Sequence, residues 1–249
     1  ITTPYTMMAT NTTILEQFAT PVFTDVNYET GNIDVNDVEH RITDRTKAIV
    51  CMHFAGYPCD MDQLWAIGRE HNLPVVEDAA HALGAKYKGS PIGAQSNYAC
   101  FSFHATKHIT TGDGGMLVTS NKNVFETALR RRWYGMDREK RFYPSILGYP
   151  DFDVTEVGYK LHMNELAAAI GLEQLKHINA VFEKRKAIAR FYRQELAGVK
   201  DLTLFEELPD RESGHWLFPL HVKRRRKFAE KMLSKGIEVS IVFRRNDIY

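Results

Sequence analysis

Residues 47–78 read KAIVCMHFAGYPCDMDQLWAIGREHNLPVVED. The unbroken apolar run in KAIVCMHF suits a strand buried on both sides, as in a parallel sheet. DMDQLWAIGREHN follows, with Leu64, Ile67 and Gly68 on one helical face, and LPVVED returns to a buried strand. Strand, helix and strand in that order predict a βαβ unit, and hence a parallel sheet with helices packed against it.

The same alternation extends in both directions. Upstream, TPVFTDV (20–26) predicts a strand and DVNDVEHRI a helix; downstream, YACFSF (98–103) and GMLVTS (115–120) predict two more strands joined by a loop. The expected fold class is therefore α/β, with a mostly parallel central sheet covered by helices on both faces. NKNVFETALRRRWYG predicts an amphipathic helix, and Arg138 to Asp153 a loop rich in aromatic residues, prolines and glycines. A long helical region runs from about Asn164 to Leu196, and its alanine- and leucine-rich NELAAAIGLEQL suits a buried helix or a subunit contact. HWLFPLHV, KFAEKMLSKG and IEVSIVF then predict strand, helix and strand, the start of a smaller α+β domain. The domain expectation is a large domain over 1–180 and a small one beginning at 181–249.

Composition narrows the function classes. The chain has 249 residues, 44% hydrophobic and 25% charged, with 32 basic residues against 31 acidic ones and a net charge of +1. Such balance asks for neither nucleic acid nor an acidic membrane surface. The basic run Lys223 to Lys227, KRRRK, reads as a solvated helix face or a phosphate-binding patch. Three cysteines, Cys51, Cys59 and Cys100, form no CxxC pair, which predicts a reduced, cytoplasmic protein. No apolar window approaches membrane-spanning length, and ITTPYTMMAT lacks a basic region followed by an apolar one, so neither a membrane span nor a secretory signal is expected from these residues.

The chemistry concentrates in FSFHATKHITTGDGG, Phe101 to Gly115. A metal reading of His104 and His108 lacks the glutamate that follows the first histidine in zinc hydrolases, since Ala105 stands there. No metal is expected, and both histidines read as packing or supporting groups. A phosphate-loop reading fails because GDGGMLV continues into apolar residues, so the glycines read as a tight turn. Lys107 remains as a candidate nucleophile. Ser102, five residues earlier at the end of a predicted strand, offers a hydroxyl to a phosphate. Asp78 lies at the carboxyl end of another strand, the edge where open α/β sheets bind ligands, and a buried aspartate wants a cationic partner. Glu77, its neighbour, points to the other face and reads as structural. A lysine nucleophile, a phosphate-binding hydroxyl and an aspartate facing a pyridinium are the parts that pyridoxal phosphate requires.

With those residues in place, the sequence resembles the DegT/DnrJ/EryC1/StrS family of nucleotide-sugar aminotransferases. The resemblance rests on TPYTMMAT, PVFTDV, DRTKAIVCMHFAGYPCDMDQL, VVEDAAHALGAKYKG, FSFHATKHITTGDGGMLVT, RRRWYGMDR and GYKLHMNELAAAIGLEQL, nearly the whole chain. It implies the aspartate-aminotransferase-like fold, pyridoxal 5'-phosphate as cofactor, and Lys107 as the lysine that forms an imine with it. It further implies Asp78 as partner of the pyridine nitrogen, His81 beside the ring and its phenolic oxygen, and Ser102 on the phosphate. Lys160, in GYKLHM, would reach the phosphate of a neighbouring subunit, giving a homodimer with a shared active site. Met7 stands where many relatives place an aromatic residue over the ring. The implied reaction moves an amino group from glutamate to a keto group of a nucleoside-diphosphate-linked deoxy sugar, as in polysaccharide or lipopolysaccharide biosynthesis. The alternatives are a 3-dehydratase of the same family, in which histidine replaces the lysine, and a non-catalytic regulatory member. Arg244 and Arg245 are candidates for a diphosphate or a donor carboxylate, or belong to a surface loop. The family's Gly/Thr-rich phosphate turn and the rest of the small domain are expected outside residues 1–249.

Overall fold

The computed structural model describes residues 1–138, 143–144, 150–151 and 153–249. In chain order the elements are α1 (Met8–Glu16), α2 (Val35–His40), β1 (Ile49–Met52), α3 (Met61–Glu70), β2 (Val75–Asp78), β3 (Lys86–Tyr87), β4 (Ser90–Pro91), β5 (Ala99–Ser102), β6 (Gly115–Val118) and α4 (Lys122–Arg131). Then come β7 (Tyr143–Pro144), β8 (Pro150–Asp151), α5 (Glu165–Leu175), α6 (Ile178–Leu196), β9 (Leu202–Leu204), β10 (Arg211–Glu212), β11 (Leu220–Val222) and α7 (Arg225–Leu233).

The central sheet runs β1-β2-β5-β6. β1 pairs parallel with β2 and β2 with β5, while β6 returns antiparallel, with Ser102 opposite Gly115. The expected βαβ unit is β1–α3–β2. Ile49, Cys51 and Val75 share one core cluster with Leu64 and Ile67 of α3 and Val38 of α2. Each such side chain taken fully out of water contributes about 1.5–3 kcal/mol. Because strand residues alternate, Glu77 lies on this α3 face and Asp78 on the other, beside Met52 in the register. Met52, Phe54 and Ala55 form a second cluster with Tyr5, Phe205, Leu217 and Phe243.

Three expected elements take another form. TPVFTDV is no strand: Phe23 makes a single parallel bridge to Thr2, which itself bridges Val50, and Val26 bridges Ile33. The helical region after Asn164 is two helices, since His177 leaves helical geometry at φ −110°, ψ 0°. The Asn164 side chain caps the first of them at Ala167 N, 2.8 Å away. IEVSIVF is not a strand: β9 and β11 pair only with each other, and Phe243 turns into the second core cluster instead of extending a ladder. The expected domain boundary at 180/181 falls within α6. Of the expected loop 138–153, residues 139–142, 145–149 and 152 lie outside the described residues, and β7 and β8 pair antiparallel inside it.

Candidate active site

Asp78 ends β2, and its carboxylate is gripped at both oxygens. Oδ1 accepts from Ala80 N at 3.0 Å and Oδ2 from Thr10 Oγ1 at 2.6 Å, a length typical of a hydroxyl on a charged carboxylate. Thr10 sits in the first turn of α1, and its oxygen lies 2.8 Å from that of Thr6. Neighbouring Glu77 is fully buried on the opposite face. It accepts from Ser96 Oγ and lies 3.1 Å from His53 Nε2. His53 Nδ1 accepts the Cys59 N–H at 3.0 Å, which leaves Nε2 as the nitrogen that carries a proton toward Glu77.

Lys107 lies on the loop between β5 and β6. That loop is tied down by Phe103 N to Gly114 O at 2.8 Å and Thr111 N to Phe103 O at 2.9 Å. Gly112, at φ +82°, supplies a left-handed turn that other residues rarely adopt, as expected of a turn glycine. The Lys107 amine rests over the Trp216 ring, 3.9 Å from its centroid. Burial lowers its pKa to about 8, against the pull of the Asp78 charge. The amine is therefore charged in a smaller fraction of molecules near neutral pH than an exposed lysine.

His81 is 2% exposed. Its ring stacks on Trp216 at 3.7 Å and lies parallel to Phe243 at 5.7 Å. Nδ1 is buried without a hydrogen-bond partner among the described residues. Burial, followed by the nearby Lys107 charge, lowers its pKa to about 2, so the ring is neutral. Ser102 ends β5; its oxygen accepts from His104 N at 3.2 Å, leaving its own proton to donate.

Asp78, His81, Ser102 and Lys107 thus gather at the carboxyl ends of β2 and β5. Met7 caps the start of α1 and is 56% exposed. Lys160 is exposed and bridges Trp133; among the described residues no side-chain bond joins it to the cluster. Arg245 pairs with Asp247, and Arg244 is exposed. His104 is exposed, and its ring Nδ1 lies 3.4 Å from Thr106 Oγ1. His108 is buried with Nε2 2.6 Å from Gly214 O, so it carries its proton there and supports the backbone.

Thr6, Thr10, Trp216 and Phe243 join this site without being marked by the sequence patterns above. Thr6 and Thr10 both fall within TPYTMMAT, but Thr6 precedes the N-cap of α1 and nothing local in that stretch shows that the two hydroxyls lead to Asp78. Trp216 and Phe243 arrive from more than a hundred residues downstream. Trp216 is held by its Nε1 on Thr106 O at 2.9 Å, by Trp216 N on Ala55 O at 3.0 Å, and by Arg185, which donates to its carbonyl at 3.0 Å. No local pattern announces such placements.

The comparisons agree with this architecture. GDP-perosamine synthase of Escherichia coli O157:H7 is 33% identical over 90% of this chain and 59% of its own length. The sugar aminotransferase CalS13 of Micromonospora echinospora superposes with a TM-score of 0.93 at 37% identity, covering 100% of this chain and 68% of that one. Spr1654 of Streptococcus pneumoniae, solved in PLP and PMP forms, matches 100% of this chain and 67–68% of its own at 26% identity, with TM-scores of 0.85 and 0.87. Three curated relatives are matched over 64%, 59% and 58% of their length, so the chain spans about three-fifths of such proteins. The family model for DegT/DnrJ/EryC1/StrS aminotransferases matches residues 1–248, and the chain belongs to that family, with its α/β, aspartate-aminotransferase-like fold.

Proposed function

We propose that this chain is the larger part of a pyridoxal-phosphate-dependent aminotransferase that moves an amino group from glutamate to a keto group of a nucleoside-diphosphate-linked deoxy sugar. The observation that carries this is the amine of Lys107, half-buried and lowered to about pKa 8 in a cluster with Asp78, His81 and Ser102. The residues fit the cofactor. His81 Nδ1 is a buried polar atom with no partner among the described residues, Ser102 has a proton to give, and Asp78 presents a carboxylate held at both oxygens. When bound, pyridoxal phosphate supplies an aldehyde that an amine can join and a ring that withdraws electrons from the carbon losing its proton.

Lys107 would hold the cofactor through Nζ and, once displaced by the amino donor, take and return the proton as a free amine. Its low pKa suits both roles, because an amine acts as nucleophile or base only when unprotonated. Asp78 would keep the ring nitrogen protonated, Ser102 would donate to the phosphate, and neutral His81 would border the ring. Met7 is assigned to the ring's open side. Arg244 has no ion-pair partner among the described residues and is the better placed of the two arginines for an anionic substrate group, as Asp247 occupies Arg245. The commitment of His108 to Gly214 supports transamination over the dehydratase reading, in which a histidine takes the lysine's place.

A homodimer is part of the proposal. Leu161, Leu166, Leu172 and Leu175, on and beside α5, are 74, 79, 66 and 50% exposed, more apolar surface on one short stretch of chain than monomers usually leave in water. Lys160 lies on the same stretch of chain, consistent with delivery to a partner's phosphate. We keep the division into a large domain over 1–180 and a small one from 181. No helix among the described residues is long and apolar enough to cross a membrane, and the three free cysteines support a cytoplasmic location.

The test is the visible spectrum of the full-length protein with pyridoxal phosphate, before and after glutamate, for wild type and Lys107→Ala. Wild type should form a protein-linked chromophore that glutamate converts to the pyridoxamine form. Formation of the same protein-linked chromophore by the alanine variant would overturn the lysine assignment. A panel of 3-keto and 4-keto nucleotide sugars then identifies the acceptor, and ammonia release in place of amine transfer would return the dehydratase.

A further inference from the structure

The hydroxyls of Thr6 and Thr10 form a directed chain that ends on Asp78. A carboxylate only accepts, so at 2.6 Å the single Thr10 proton points to Asp78 Oδ2. The 2.8 Å contact between the two threonines then has one possible direction, with Thr6 donating to Thr10. Both residues are buried, Thr6 at 1% and Thr10 at 8% exposure. Thr6 is itself clamped from the far end of the chain: Asn246 donates from Nδ2 to Thr6 O at 3.0 Å and from its backbone to Pro4 O at 2.8 Å. Asn11 closes the clamp by donating to Asn246 Oδ1 at 2.8 Å.

An aspartate carboxylate rotates easily about its last bond. Here one oxygen is held by a backbone N–H and the other by the threonine chain, so the plane is fixed and the remaining lone pairs have set directions. Resting on the cofactor reading above, we propose that Thr10, oriented by Thr6, is a positioning residue that aims the Asp78 carboxylate at the ring nitrogen of the cofactor.

The experiment measures the Kd for pyridoxal phosphate by equilibrium dialysis, together with kcat and KM, on the full-length protein. Thr10→Val should weaken cofactor binding about tenfold, the order expected for one hydrogen bond to a charged group. It should lower kcat while leaving the KM for glutamate unchanged. Thr10→Ser, which keeps the hydroxyl, should bind within about twofold of wild type, and Thr6→Val should lie between wild type and Thr10→Val. In an Asp78→Asn background the valine substitution should add less than about twofold, because the charged acceptor is gone. An unchanged Kd in Thr10→Val, a serine variant as weak as the valine one, or an equal penalty in the Asp78→Asn background would each overturn the assignment. If the valine variant does not melt cooperatively, Thr10→Ala takes its place in the same series. Wild type that binds no pyridoxal phosphate would instead refute the cofactor reading and this inference with it.

Discussion

Glu77 and Asp78 are consecutive residues of β2, with the same charge and nearly the same chemistry, and they serve opposite ends. Glu77 faces α3, is fully buried, and has its oxygens matched to Ser96 and His53. Asp78 faces the other way, is held by Thr10 and Ala80, and keeps a side toward Lys107. A carboxylate closed in by fixed partners has nothing left to offer a ligand. One that is aimed but only partly satisfied, beside a desolvated amine, is prepared for one. The face of the strand on which a carboxylate falls, more than its type, separates structure from chemistry here.

Substitutions at the two positions should therefore separate cleanly. Asp78→Asn should lower aminotransfer by about 10²–10⁴-fold, the range of a lost proton-holding group, with little change in the unfolding midpoint. Comparable loss of stability would erase the contrast. Glu77→Ala should do the reverse, costing about 3–5 kcal/mol in urea unfolding because His53 and Ser96 lose a buried charged partner, while the protein that remains folded binds cofactor normally. Ser96→Ala removes one donor from the same carboxylate and should cost about 1–3 kcal/mol. A result near zero would mean that His53 alone suffices.

A last test concerns pH. Lys107 titrates at about 8 when folded, against 10.5 for an ordinary lysine. Between those values the unfolded chain binds more protons, so this lysine makes stability rise with pH across that window. Below about pH 8 both states are protonated and its contribution is constant. The stability difference between cofactor-free wild type and Lys107→Met should change between about pH 8 and 10.5 and be flat on either side. A difference that does not vary with pH would mean that the amine is not desolvated.

The parts of this site that could be read from sequence are those set by strand periodicity. Asp78, Ser102 and Lys107 lie at or just past the ends of apolar runs, where alternation fixes the face and the sheet edge fixes the location. Glu77 as the structural member of its pair follows from the same alternation. The threonine chain was not readable, because its target is set only by the docking of α1 against β2. Trp216 and Phe243 were not readable at all, because their positions depend on loop contacts such as Trp216 N to Ala55 O across the fold. IEVSIVF shows the opposite failure. Its strand propensity is genuine, but Phe243 packs with Tyr5 and His81 in place of extending a ladder.

The antiparallel return of β6 has a mechanical consequence. Because Ser102 lies opposite Gly115, the loop that carries Lys107 starts and finishes at one paired rung of the sheet, like a hoop fastened at its base and again along its course through Phe103, Thr106 and Thr111. The backbone under the lysine has little freedom to drift, and the travel of the amine comes down to the reach of four methylene groups. Lengthening the hoop by a few residues would leave every side chain of the site present while taking away the fixed base from which that reach is measured.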